Sequence, residues 1–127
     1  MAEVLGGCLC GAIRYRVRQH RDAGLCYCDS CRKATGAHVV PWLVVEREAF
    51  ELISGVPRRY QAPNGATWSF CEHCGTTLSW ERPDGPFTLT VGSLDDPAPF
   101  APTFSSWDED RLPWEPAFAA RQGRSTS

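Results

Sequence analysis

The chain has 127 residues, 43% of them hydrophobic and 22% charged, with 13 Lys+Arg against 15 Asp+Glu for a formal net charge of −2. That length fits one domain, the hydrophobic fraction excludes wholesale disorder, and the charge balance excludes the basic footprint of a nucleic-acid binder. Seven Cys beside one Met is the unusual count.

The opening, Met-Ala-Glu-Val-Leu-Gly-Gly-Cys, has an early acid and no basic-then-apolar pattern, so no targeting segment is expected. Residues 12–17 alternate, with Ile13, Tyr15 and Val17 on one face and Arg14, Arg16 and Arg18 on the other, which predicts a half-buried strand with a solvated arginine face. Residues 29–35 carry a helical turn or two. Residues 38–45 read as a strand interrupted by Pro41, which predicts an edge position or a bulge. Val39 to Val45 within it is the longest strongly apolar run, far short of the about 18–20 residues that span a bilayer. Residues 46–50 suggest another helical turn. Short strands are expected over 50–54, 58–61, 67–70, 76–80 and 87–91, separated by turn signals at 54–57, 63–65 and 83–86. Trp42, Trp68 and Trp80 fall in these strands, where packing is the default for tryptophan. From 95 to 116 five prolines loosen the pattern, and an irregular wrap anchored by Phe104, Trp107 and Trp114 is expected. Residues 119–127 read as a flexible tail after a domain over 1–118.

The seven Cys fall into three groups: Cys8-x-Cys10, Cys26-x-Cys28-x-x-Cys31 and Cys71-x-x-Cys74. An odd count leaves one thiol over in any closed disulfide framework, and in a reducing compartment clustered Cys signals metal. Close pairs place two sulfurs on one ion, and glycine straight after Cys10 and Cys74 lets the backbone turn back. Cys8, Cys10, Cys71 and Cys74 make a closed Cys₄ set, the commonest structural zinc pattern, tying the first strand to a distant one. Cys26, Cys28 and Cys31 remain, three ligands with an open fourth place. Zinc with three thiolates carries −1 and acidifies a bound water poorly. Its soft environment favours an outside thiolate over hydrolysis. A redox Cys-x-x-Cys lacks a βαβ context here. A classical zinc finger lacks its His pair, since His20, His38 and His73 stand apart. Two purely structural zincs, or rubredoxin-like iron, also fit the spacing. Arg32 and Lys33 after Cys31 read as surface charge or as partners for substrate carboxylates.

Four segments carry a family resemblance: Gly7-Cys8-Leu9-Cys10-Gly11-Ala12-Ile13-Arg14-Tyr15, Cys26-Tyr27-Cys28-Asp29-Ser30-Cys31-Arg32-Lys33, Phe70-Cys71-Glu72-His73-Cys74-Gly75-Thr76, and Val91-Gly92-Ser93-Leu94-Asp95-Asp96-Pro97. With them the sequence resembles the glutathione-dependent formaldehyde-activating enzymes, a family that includes centromere protein V. The resemblance implies a mainly β, zinc-bound fold of small antiparallel sheets, the β-tent, with few helical turns. It implies two zinc ions per chain, a structural one on Cys8, Cys10, Cys71 and Cys74 and a second on Cys26, Cys28 and Cys31. It further implies a carbon–sulfur lyase that joins a thiol, glutathione, to a small aldehyde, formaldehyde. Tyr27 stands where the family often has His, and Thr103-Phe104-Ser105 where members commonly carry a His-containing strand. The expected partner is therefore a small thiol, with no nucleic acid and no membrane, in the cytoplasm. A non-catalytic thiol carrier or a structural zinc-binding interaction domain is the alternative.

Overall fold

In the computed structural model, which describes residues 3–123, the arginine-faced segment folds as β2 (Arg14–Val17) and pairs antiparallel with β1 (Val4–Gly7). β3 (His20–Cys26), α1 (Asp29–Thr35), β4 (Val40–Val45) and β5 (Phe50–Ser54) follow. Then come β6 (Arg58–Gln61), β7 (Thr67–Phe70), β8 (Thr77–Glu81), β9 (Phe87–Thr90), β10 (Phe104–Ser106) and α2 (Phe118–Gly123). Single 3₁₀ turns cover Arg47–Ala49, Val91–Ser93 and Asp108–Asp110.

Two sheets result, one ordered β1-β2-β5 and the other β10-β3-β4-β9-β8-β7-β6. All strand pairs are antiparallel except β10 on β3, so the fold is mainly β with few short helices, as expected. Alternation places Tyr15 and Val17 of the smaller sheet, and Ile13 just before β2, in the same core as Leu43, Val45, Leu78 and Leu89 of the larger, each at most 4% exposed. The outward arginines behave as a solvated face: Arg16 and Arg18 each lie 3.2 Å from Glu51, and Arg14 pairs with Asp95.

Several expectations are corrected. The strand with Pro41 is an inner strand, flanked by β3 and β9. Proline is tolerated because β9 pairs only from Trp42 onward, so no ladder bond on that side is lost at Pro41. β1, β3 and β10 are strands that the sequence pattern does not predict. Gly24, in β3, is the reason β10 can lie where it does: a Cβ there would meet the Phe104 ring at 2.2 Å. Trp107 and Trp114 do not anchor the wrap by burial, since they are 56% and 69% exposed. Phe118–Gly123, which overlaps the start of the expected tail, forms a short helix, and residues 124–127 lie outside the described residues. No helix among the described residues is long and apolar enough to cross a membrane.

Candidate metal centres

The seven cysteines, none in a disulfide, gather into two clusters, Cys8/Cys10/Cys71/Cys74 and Cys26/Cys28/Cys31, with the sulfurs of each within 4.8 Å of one another. His73, between two cysteines of the first cluster, is exposed and joins neither.

The four-cysteine cluster is built from two similar turns. In one, the Cys8 N–H donates to the Ile13 carbonyl, and in the other the Cys71 N–H donates to the Thr76 carbonyl, each five residues on. Gly11 and Gly75 close the turns in the left-handed region, at φ 84° and 82°, which side chains with a Cβ enter at a cost. The turns meet where the Leu9 N–H donates to the Thr76 hydroxyl at 3.0 Å. Sulfur separations are 3.6 Å for Cys8–Cys10 and 3.8 Å for Cys10–Cys71. Tetrahedral zinc–thiolate bonds of about 2.3 Å give sulfur separations of about 3.8 Å, so the spacing fits such an ion. The Ile13 N–H points at Cys8 Sγ at 3.3 Å and the His73 N–H at Cys71 Sγ at 3.4 Å, donors of the kind that support metal thiolates. Cys8 and Cys71 are buried, at 7% and 0% exposure.

The three-cysteine cluster sits where β3 ends and α1 begins. Cys26 closes β3. Cys28 is the N-cap of α1, its extended backbone (φ −67°, ψ 157°) letting Sγ accept the Cys31 N–H at 3.3 Å. One turn on, Cys31 is buried and lies 3.4 Å from Cys26, sulfur to sulfur. The helix stops at Gly36, whose N–H returns to the Arg32 carbonyl. Proton affinities differ sharply within the cluster. The Cys31 thiol, donating to Cys26, holds the Cys26 pKa down to about 5. Cys31 is pushed up by the same contact and by burial, and Cys28 is pushed up mainly by burial. Three sulfurs this close cannot ionise together without a positive charge among them, which is the electrostatic demand a cation meets.

The two clusters differ in their surroundings. Cys26, Cys28 and Cys31 line a cavity of about 660 Å³, together with Trp42, Trp68, Trp80, Phe104 and Trp107. The cysteines of the first cluster do not line it. Trp42 and Trp68 pack as core, 7% exposed with ring centroids 5.9 Å apart, and also wall the cavity. Phe104 and Trp107 arrive from the proline-rich segment, and nothing in their local pattern marks them as cavity residues. Arg32 and Lys33 do not line it, and Arg32 lies 3.3 Å from Asp29. Tyr27, between Cys26 and Cys28, is a fully buried core residue.

Comparison with known proteins adds the following. The family model described as glutathione-dependent formaldehyde-activating enzyme matches residues 3–110. A crystal structure of a Rhodobacter sphaeroides protein, solved as a structural-genomics target, superposes with a TM-score of 0.66 at 23% identity. It covers 80% of this chain and 99% of its own, a likeness of fold. No curated protein matches.

Proposed function

The chain belongs to the glutathione-dependent formaldehyde-activating enzyme family, and from that premise we propose that it is a two-zinc carbon–sulfur lyase acting on a thiol, such as glutathione, and a small aldehyde. The observation that carries this reading is the contrast between the clusters: four sulfurs make a closed set, while three line a cavity. Cys8, Cys10, Cys71 and Cys74 would hold a structural zinc, and Cys26, Cys28 and Cys31 a second zinc with a place for an outside ligand. Zinc bound there supplies a positive centre that favours the thiolate form of an incoming thiol.

The chain's own part is to bind and orient. Cys26, Cys28 and Cys31 are metal ligands and not nucleophiles. The nucleophile is the sulfur of the outside thiol, which gives its proton to solvent. Its lone pair forms the carbon–sulfur bond at the carbonyl carbon, the C=O π pair moves to oxygen, and oxygen takes a proton from water. The product is the S-hydroxyalkyl thioether, and the reverse cleavage is the lyase direction. A purely structural role for both clusters leaves the cavity unused. The thiols suit a reducing compartment, and we place the protein in the cytoplasm. The test is the rate of S-hydroxymethylglutathione formation with zinc-loaded protein. The reading requires acceleration over the uncatalysed reaction and its loss in Cys28→Ser.

A further inference from the structure

We propose that the cavity beside Cys26, Cys28 and Cys31 binds an aromatic aldehyde, its ring held among Trp42, Trp68, Trp80 and Trp107 and its carbonyl carbon toward the cysteines. That the occupant is an aldehyde rests on the thiol–aldehyde reading above. That it carries an aromatic ring rests on the cavity alone.

Size is the first argument. About 660 Å³ lies within the range of about 300–1,000 Å³ that suits organic ligands. Formaldehyde, with one carbon and one oxygen, leaves nearly all of it unfilled. Composition is the second. Four tryptophans and Phe104 share this cavity with the cysteines, and indole faces prefer the offset or edge-on approach of another ring. Glutathione carries two carboxylates and an ammonium, which are costly to take out of water against indole walls. Its charged ends suit the polar part of the lining, where Arg82 can meet a carboxylate and the exposed Asp29 or Asp110 the ammonium. The apolar depth is left for the group attached to the carbonyl.

Trp107 points the same way. It adopts the left-handed conformation at φ 58°, the single non-glycine residue with positive φ among the described residues. For a bulky side chain this is a strained state that surrounding contacts must impose. Those contacts are present. The Asp110 N–H returns to the Trp107 carbonyl at 2.9 Å, and the Ser105 hydroxyl donates to the Asp108 carboxylate at 2.8 Å. Core burial does not offset the strain, since Trp107 is 56% exposed. What the conformation secures is an indole at the cavity wall.

The test uses the purified, zinc-loaded protein and ligand-observed NMR. The probes are benzaldehyde, benzyl alcohol (which keeps the ring and forms no adduct), butanal and butanol. The expectation is saturable binding of both ring compounds, at least tenfold tighter than their four-carbon counterparts, with NOEs from ring protons to indole protons. Trp107→Gly removes the indole and relieves the backbone strain, so its melting temperature should not fall. It should weaken ring binding at least fivefold. Equal binding of ring and chain compounds, absent ring-to-indole NOEs, or an affinity unmoved by Trp107→Gly overturns the proposal. Turnover with glutathione is measured separately. Ring binding without turnover of benzaldehyde or of formaldehyde defeats the lyase reading and leaves the aromatic site. Turnover of formaldehyde without ring binding does the reverse.

Discussion

The sulfurs of Cys10 and Cys71, 61 residues apart in the chain, lie 3.8 Å from each other. Cys8 directly follows β1 of the smaller sheet, and Cys71 directly follows β7 of the larger. The four-cysteine cluster therefore fastens the two sheets together at one end of their shared core, of which Cys8 and Cys71 are members. Cys26 and Cys31, by contrast, are five residues apart and close only a local loop.

That difference predicts unequal stability effects. Metal binding to structural cysteine sites contributes about 10–16 kcal/mol in small zinc peptides, and long closures are entropically harder to make unaided. Cys71→Ser should give insoluble protein or a large fall in melting temperature. Cys28→Ser should lower metal content to about one ion per chain with a much smaller fall. Equal losses in both variants, measured by thermal unfolding alongside metal analysis, would show that both clusters are structural.

Gly6 makes the same joint at the level of packing. A Cβ there would lie 2.4 Å from the Tyr15 hydroxyl and 2.7 Å from the Ser93 carbonyl oxygen. Tyr15 is 1% exposed and hydrogen-bonds Ser93 at 2.7 Å, so neither neighbour can step aside. Gly6→Ala should cost about 1–3 kcal/mol, the usual range for overpacking. Gly75→Ala, where a Cβ meets nothing, should cost only the left-handed backbone strain, about 1–2 kcal/mol. Urea unfolding of the two variants checks both figures.

These glycines also show where the sequence was legible and where it was not. Spacing sorts the seven cysteines into three groups, because tight turns bring chain neighbours onto one ion, whereas the meeting of Cys8/Cys10 with Cys71/Cys74 follows from a four-ligand count and is made by the fold. β6 and β7 could be bounded to the residue, since turn signals at 54–57 and 63–65 flank the first and the Cys71-x-x-Cys74 pair ends the second. β1 could not, because Gly6 and Gly7 suppress the alternation, and the reason for glycine there lies in Tyr15 on another strand. β3 hides because Ala23, Gly24 and Leu25 are all buried, so no polar face alternates with an apolar one. β10 is a parallel partner found far along the chain, next to Pro102, and its register depends on the bare surface of Gly24. The same holds for the cavity. Its cysteines announce themselves in sequence, whereas Trp107 gains its place only through a backbone conformation that no local pattern encodes.

Arg14 and Asp95 give a prediction with pH. The guanidinium donates to both carboxylate oxygens, at 2.9 and 2.5 Å, and this hydrogen bonding holds the Asp95 pKa below the usual range. A carboxylate depressed in the folded state contributes stability above its unfolded pKa of about 3.9, and loses it as pH falls through the folded value. The side chains are 34% and 48% exposed, so the contribution should stay under about 1 kcal/mol. Arg14→Gln should return the Asp95 titration, followed by carboxyl NMR, toward the ordinary value. It should also narrow the stability difference between pH 7 and pH 3. An unmoved Asp95 titration would remove the pair from the account of stability.

The open place at the second cluster can be read with cobalt in place of zinc. Cys26, Cys28 and Cys31 supply three sulfurs, and on the proposed reading an added thiol would complete the set as thiolate, releasing a proton. Binding of glutathione should therefore strengthen as pH rises toward the thiol's own pKa, about 8.5 for a cysteine-type group, and flatten above it. The sign follows from the proton released: below that pH each unit of acidity costs up to about tenfold in apparent affinity. Each bound thiolate adds a sulfur-to-cobalt absorption band. The four-cysteine cluster has its four sulfurs already and should stay silent in the same titration. Cys28→Ser should abolish the thiol-induced band while leaving the spectrum of the first site in place. A cobalt spectrum unchanged by glutathione and by simpler thiols from pH 6 to 9 would close the second site and make both metals structural. A band that responds to thiol, in a protein that does not accelerate aldehyde consumption, would make the chain a thiol binder and remove the lyase step.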